Sequence, residues 1–142
     1  MYLPSMSGAQ RVLHVFQGLG RKHLPVLWAH LEGEGMHPTM YATEWFMTMF
    51  CRGFNFDLCM RVWDIFLQED FKIVYRVALA LIKNVEKKLL AATFEGIMGL
   101  LRRLPENTDA AAVMEIAWKI PVSRGEIYKL EQEWQAEHGT DV

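Results

Sequence analysis

The chain has 142 residues, the size of one ordinary domain, and its apolar runs are far shorter than the roughly 18 residues that a membrane-spanning helix requires. The formal net charge is −2, from 15 basic and 17 acidic side chains mixed along the sequence, which disfavours nucleic-acid binding. With glycine included, the apolar fraction exceeds the roughly 45–50% of ordinary soluble domains. We therefore expect a soluble chain with more apolar surface than a free domain of this size needs.

Nearly every segment has the 3.6-residue periodicity of an amphipathic helix, and no segment alternates polar and apolar residues as a strand does. The pattern predicts an all-α fold of about eight helices packed as one helical subdomain, without a β-sheet. The predicted helices begin at Ser7 and Pro25, run from Pro38 to Gly53, cover residues 56–68, 71–91, 94–104 and 109–119, and end with a helix from Ser123 to Gly139.

Several of these helices have recognisable start signals. Ser7 with Gln10 and Ser123 with Glu126 have the spacing of a capping box, in which each side chain bonds the other residue's backbone N–H. Asn55 is suited to cap the helix over residues 56–68. These signals predict where three of the eight helices begin.

The second half of the chain contains the longest predicted helix, over residues 71–91. Its apolar positions form one continuous face, and lysines near its end oppose the helix dipole. Thr93 and the Asn107-Thr108 pair are the candidate caps for the next two helices, which Pro105 is expected to separate. We therefore expect the helix over 71–91 to bury one continuous face, whereas the helix from Pro38 to Gly53, apolar on most of its circumference, is expected to lie deep in the core.

The two cysteines, Cys51 and Cys59, lie in apolar surroundings without CxxC spacing. Free cysteine is among the most buried residue types. We interpret both as reduced, buried thiols of an intracellular protein.

Catalytic signatures are absent from the sequence, which contains no GxxxxGK[ST], GxGxxG, HExxH or GxSxG motif. The five histidines include no i,i+4 pair, so their spacing favours scattered surface imidazoles over a metal site. We predict no catalytic, cofactor-binding or metal-binding residue in this chain.

A group of aromatic and methionine residues lies between positions 36 and 50. Helical spacing favours core packing for most of them, although methionine is also frequent at adaptable binding surfaces. A partner groove or ligand pocket therefore stays open as an alternative. The group consists of Met36, Met40, Tyr41, Trp45, Phe46, Met47, Met49 and Phe50.

The segment RVWDIFLQED at residues 61–70 contains the most conspicuous charged pair of the chain. On a helical wheel, Asp57, Arg61, Asp64 and Gln68 form one polar stripe, beside a broad apolar surface that includes Trp63. Arg61 then has an acid one turn away on either side, and such pairs stabilise a helix by roughly 0.2–0.5 kcal/mol each. This geometry favours a structural arginine over a catalytic one.

Two long motifs, MYATEWFMTMF at 40–50 and RVWDIFLQED at 61–70, occur in order after the opening YLPSM at 2–6. Together with the rest of residues 22–82, they resemble the C-terminal half of the TBC domain of Rab GTPase-activating proteins. The resemblance extends from Tyr2 to about Trp134 and weakens after residue 90. It implies a helical fold and a parent activity, the acceleration of GTP hydrolysis by Rab-type GTPases.

In that family an arginine finger and a glutamine finger belong to IxxDxxR and YxQG motifs of the N-terminal half. Neither motif occurs in this chain, so we expect residues 1–142 to be a C-terminal subdomain without its N-terminal half. VFQGLG at 15–20 places Gln17 in a similar order, but it follows YLPSM whereas the family's glutamine motif precedes it. A supplied arginine contributes on the order of 10³–10⁵ in rate, so we expect the chain alone to be inactive.

The resemblance assigns structural roles to Trp45, Phe46, Arg61, Trp63 and Asp64. It implies a Rab-type GTPase as partner, which would itself bind GTP and Mg²⁺, and a cytoplasmic location peripheral to vesicle membranes. The alternative is a helical scaffold without GTPase-activating function. Self-association is expected through core surface left open near the first two helices.

Overall fold

The computed structural model describes residues 6–69 and 71–138, without the side chains of residues 6, 7 and 69. No residue in these two ranges lies in a strand, and the all-α prediction is confirmed. Nine α-helices and one short 3-10 helix occur in the described ranges. They are α1 (Met6–His23), α2 (Pro25–Gly33), the 3-10 helix (Pro38–Met40), α3 (Thr43–Thr48), α4 (Phe56–Glu69), α5 (Lys72–Asn84), α6 (Glu86–Leu90), α7 (Phe94–Asn107), α8 (Ala110–Lys119) and α9 (Arg124–His138).

Helix α5 lies at the centre of the fold because its sequence, KIVYRVALALIKN, is apolar on most of its circumference. Every residue from Ile73 to Ile82 is buried except Arg76. The helix packs against α8 on one side and against α4 and α1 on others, while α1 packs along α9. The first and last described helices therefore lie side by side around one core.

The predicted caps of α4 and α9 are confirmed. The Asn55 Oδ1 accepts a hydrogen bond from the backbone N–H of Leu58 at 2.8 Å. At α9 the Ser123 N–H donates to Glu126 Oε1 at 2.8 Å, and the Glu126 N–H donates to Ser123 Oγ at 3.2 Å. The predicted cap at Ser7 and the predicted helix end at Gly139 fall outside the residues or side chains that the structure describes.

The long helix predicted over residues 71–91 is wrong, because the chain bends at Val85 and forms α5 and α6 instead. Val85 has φ −114° and ψ 22°, which is outside the helical region. The bend directs Leu89 into the core, where α6 packs against α2. At 18 residues, α1 is longer than α5 with its 13.

The single helix predicted from Pro38 to Gly53 is also wrong. A 3-10 turn precedes α3, and Met49 and Phe50 then adopt left-handed backbone conformations with φ of 49° and 65°. These conformations end α3 and place both side chains in the core, where they are fully buried. Burial of the two side chains offsets the cost of a left-handed backbone at residues other than glycine.

Three details of the later helices differ from the predictions. Pro105 lies inside the last turns of α7 instead of between helices. The cap of α8 is Asp109, whose Oδ1 accepts from the N–H groups of Ala111 and Ala112 at 3.0 and 3.4 Å. Thr93 makes no capping bond, and Glu34 Oε1 instead accepts from the N–H of Phe94 at 3.1 Å.

Candidate functional site

The α3 segment and the turn that follows it are anchored by packed aromatic rings. Trp45 and Phe46 are each 4% exposed. The Phe46 ring lies 5.2 Å from that of Phe16 on α1 and 5.5 Å from that of Tyr75 on α5, measured between centroids. The Trp45 ring lies 6.1 Å from that of Phe54. This cluster packs the MYATEWFMTMF motif against α1 and α5 at the centre of the fold and positions the turn that precedes α4.

A small cavity of about 180 Å³ lies beside the same segment. Its volume is below the roughly 300–1,000 Å³ of typical small-molecule sites, so its size does not favour the ligand-pocket interpretation of the aromatic residues. The cavity is lined by Met40, Tyr41, Glu44, Trp45, Arg52, Gly53, Leu101, Arg102 and Pro105.

Arg61 lies on the exposed surface of α4 and is held by one acid. Its Nε donates to Asp57 Oδ1 at 2.9 Å, one turn earlier on the helix. Asp64 is exposed and makes no hydrogen bond or ion pair within the described part of the chain. The expected stripe is present, but only its first acid neutralises the guanidinium.

The structure overturns the interpretation of the two cysteines. Cys51 and Cys59 are disulfide-bonded, with Cα atoms 4.9 Å apart, and neither residue is buried. The indole N–H of Trp63 donates to Cys51 Sγ at 2.9 Å. The apolar surroundings in the sequence did not indicate burial, because the turn after α3 turns Cys51 outward while its neighbour Phe50 points inward.

Next to the polar stripe, α4 has an exposed apolar stripe that includes Trp63, which the helical wheel placed in the broad apolar surface of this helix. Phe56 and Leu67 are 77% and 76% exposed, and Met60 and the partly exposed Trp63 lie between them. The spacing of these four residues is i, i+4, i+7 and i+11, so they share one face of the helix. The inward face of α4 carries Leu58 and Val62 instead, both fully buried.

Gln17 belongs to a polar network between α1 and α2. Its Oε1 accepts from the Trp28 indole N–H at 2.8 Å, and its Nε2 donates to Glu32 Oε2 at 2.9 Å. Arg21 bonds the same carboxylate with a contact of 2.6 Å. Both ends of the Gln17 amide are therefore occupied by packing partners.

A second polar cluster joins the end of α1 to the start of α9. Glu126 Oε2 lies 2.5 Å from Lys22 Nζ and 3.0 Å from His23 Nε2, while its other oxygen accepts from the Ser123 N–H. Burial alone would raise the pKa of the Glu126 carboxyl, but the hydrogen bonds from Lys22 and Ser123 and the charges of His23 and Lys22 lower it to about 2. This carboxylate is a structural clamp.

Neither a metal centre nor a membrane span is found in the described ranges. No group of three or more His, Cys, Asp or Glu side chains there is placed to hold an ion. None of the described helices is both long and apolar enough to traverse a bilayer.

Comparison with known proteins identifies the fold family. The family model of the Rab-GTPase-TBC domain matches the sequence over residues 1–90. These residues include the MYATEWFMTMF and RVWDIFLQED motifs. The Homo sapiens ecotropic viral integration site 5 protein homolog is 29% identical over 137 residues, which are 94% of this chain and 17% of that protein. Carabin of Mus musculus is 35% identical over 108 residues, 73% of this chain and 24% of that protein. GTPase-activating protein GYP5 of Saccharomyces cerevisiae is 30% identical over 135 residues, which are 91% of this chain and 15% of that protein. The chain thus spans less than a quarter of the length of each of these relatives.

Proposed function

Because this chain belongs to the Rab-GTPase-TBC domain family, we propose that it is the C-terminal part of a GTPase-activating protein for Rab-type small GTPases. The observation that supports this most is the family match over residues 1–90, which includes MYATEWFMTMF and RVWDIFLQED. A relative that matches most of the chain is itself named a GTPase-activating protein. The GTP and Mg²⁺ of the reaction belong to the GTPase, and the chain acts in the cytoplasm, at the surface of vesicle membranes.

We propose further that these 142 residues supply neither finger of the reaction. Arg61 is bonded along its own helix to Asp57, and both ends of the Gln17 amide are bonded to Trp28 and Glu32. A finger must instead reach the transferring phosphoryl group of the partner or orient the attacking water. Geometry and motif order both argue against these two side chains in that role.

The test is single-turnover GTP hydrolysis by a panel of GTP-loaded Rab GTPases. We expect the chain alone to leave hydrolysis at the intrinsic rate, and stimulation would contradict the absence of fingers. Adding an N-terminal TBC half from a relative, with its IxxDxxR and YxQG motifs, is expected to raise the rate for at least one Rab.

In that complemented assay, Arg61→Ala and Gln17→Ala should each retain the stimulated rate. A loss of several orders of magnitude for either variant would assign it a finger role. If no Rab responds to the complemented pair, the proposed GTPase-activating function itself is contradicted.

The second candidate function is a helical scaffold that binds proteins through α4. The exposed stripe of Phe56, Met60, Trp63 and Leu67 favours it, because contiguous exposed apolar surface marks interaction sites. On this hypothesis the chain binds partners but does not change GTP hydrolysis, even when complemented.

We also propose that this stripe mediates self-association. Among the described side chains of the first two helices, the only exposed large apolar one is Val26, so α4 offers the larger open surface. Light scattering should give a mass above one chain at high concentration, and Phe56→Ser with Leu67→Ser should return it to the monomer. Val26→Ser is the matched control, since Val26 is similarly exposed at 71% but lies on α2. A monodisperse wild-type monomer would contradict the proposal.

A further inference from the structure

The disulfide lies on the surface, at the junction of α3 and α4. Cys51 is exposed and Cys59, in the first turns of α4, is half-buried. Only eight positions separate the two residues in the chain. A small thiol in solution can therefore reach this bond, whereas a disulfide enclosed in a core is protected from exchange.

Each cysteine directly follows a fully buried residue. Phe50 precedes Cys51, and its backbone N–H donates to the Trp45 carbonyl at 3.0 Å. Leu58 precedes Cys59, and its N–H is held by the Asn55 cap. These contacts anchor the residue before each cysteine in the core, in addition to the bond between the sulfurs.

The separation of the two Cα atoms, 4.9 Å, lies in the range of about 4.4–6.8 Å that disulfides require. Since the residue before each cysteine is anchored in the core, we expect the thiols of the reduced protein to stay adjacent and to pair again without rearrangement of the fold. The indole N–H of Trp63 points at Cys51 Sγ and stabilises the negative charge that develops on this sulfur when the bond is cleaved.

From these contacts we infer that Cys51 and Cys59 form a reversible thiol–disulfide site that exchanges with small thiols such as glutathione. In the first step a glutathione thiolate attacks one protein sulfur, forms a mixed disulfide and releases the other cysteine as a thiolate. A second glutathione thiolate then attacks the glutathione sulfur of the mixed disulfide and releases the second cysteine as a thiolate, and both cysteine thiolates take up protons from water. The products are oxidised glutathione and two protein thiols, so two glutathione molecules supply both electrons.

Trp63 makes the exchange visible. A disulfide quenches the fluorescence of an indole in contact with it, so reduction should raise the emission of this tryptophan. The rest of α4 stays capped by Asn55 and packed through Leu58 and Val62 in both states. The inference concerns the chemistry of the cysteine pair and is independent of whether the chain acts on a GTPase.

The test equilibrates the folded chain in buffers of varied reduced and oxidised glutathione, followed by labelling with a maleimide of high mass. We expect no label in excess oxidised glutathione, two labels in excess reduced glutathione, and few singly labelled chains between. The transition should follow a two-electron dependence and coincide with the rise in tryptophan fluorescence. A bond that excess reduced glutathione leaves intact in the folded chain, or two thiols that never pair, would overturn the inference.

Three variants complete the experiment. Trp63→Phe should keep the two-label transition and lose the fluorescence change. Cys51→Ser and Cys59→Ser should each leave one thiol without a partner. The maleimide should label this thiol at every glutathione ratio, except where it has formed a mixed disulfide with glutathione. Circular dichroism checks that the variants are folded. Protection of the remaining thiol from the maleimide in excess reduced glutathione, where no mixed disulfide forms, would contradict the surface location on which the exchange depends.

Discussion

Gly20 shows how one residue without a side chain determines the packing of two helices. A Cβ atom at this position would lie 2.3 Å from Cε2 of Trp28, closer than real side chains approach each other. The missing methyl group lets the indole lie flat against α1 while its N–H reaches Gln17. The polar network of Gln17, Glu32 and Arg21 therefore depends on a glycine that looks like a helix weakener in the sequence.

We expect Gly20→Ala to destabilise the protein by about 1–3 kcal/mol, because the indole must move and alanine's better helix propensity recovers only part of this cost. Urea unfolding followed by circular dichroism measures the change. Gly33→Ala, at the end of α2, is the matched control, since nothing lies within 4 Å of an added Cβ there, and alanine's better helix propensity should leave the stability unchanged or raise it by up to about 1 kcal/mol. Equal stability of Gly20→Ala and wild type would show that a methyl group at residue 20 can be placed against the Trp28 indole without loss of stability.

At the scale of helices, local signals predicted most starts and the tertiary contacts decided several ends. The Asn55 cap and the Ser123–Glu126 capping box follow from residues within four positions of each other. The end of α5 at Val85 and the left-handed Met49 are different, since each places a later side chain in the core. Such bends depend on partners elsewhere in the chain, which periodicity does not reveal.

Ser123 and Thr93 are the residues that the sequence suggested as caps of α9 and α7. The loss of stability on substituting each by alanine shows which of them caps its helix. Ser123→Ala should cost about 1 kcal/mol, because its Oγ accepts from the Glu126 N–H. Thr93→Ala should change the stability by less than about 0.5 kcal/mol, because the Thr93 side chain makes no capping bond. Thermal unfolding of both variants tests this, and a larger loss for Thr93→Ala would reverse the assignment of caps.

At the scale of the whole molecule, Glu126 joins the two ends of the described chain. His23 and Glu126 are 103 positions apart, yet their side chains meet at 3.0 Å because α1 and α9 pack along each other. The carboxylate with a lowered pKa thus connects the first and last helices described. Its protonation state affects how firmly α9 is held to the rest of the fold.

The pH dependence of stability has a definite sign. The folded-state pKa of Glu126, about 2, is below its ordinary value of 4.5, so the carboxylate stabilises the fold fully above about pH 4.5. This contribution is lost as the pH falls from about 4.5 to 2. Glu126→Gln should therefore lower the free energy of unfolding at pH 7 by on the order of 1–2 kcal/mol and reduce the dependence below pH 4.5.

Urea unfolding at a series of pH values from 7 to 3 measures this effect. The control is Glu115→Gln, since Glu115 forms only an exposed pair with Lys119 at 3.8 Å and should contribute little. An identical acid profile for Glu126→Gln and wild type would contradict the clamp.

The fold class, the caps of α4 and α9 and the family follow from the sequence by itself, because capping and helical periodicity act over a few residues and each of the two motifs is contiguous. The structural role expected for Arg61 rests on the same local spacing, and the structure adds that Asp57 holds it and Asp64 does not. Tertiary structure alone decided that Cys51 and Cys59 meet and that Phe56 and Leu67 face outward. These outcomes depend on which helix covers which face, and that is set by contacts between residues far apart in the chain.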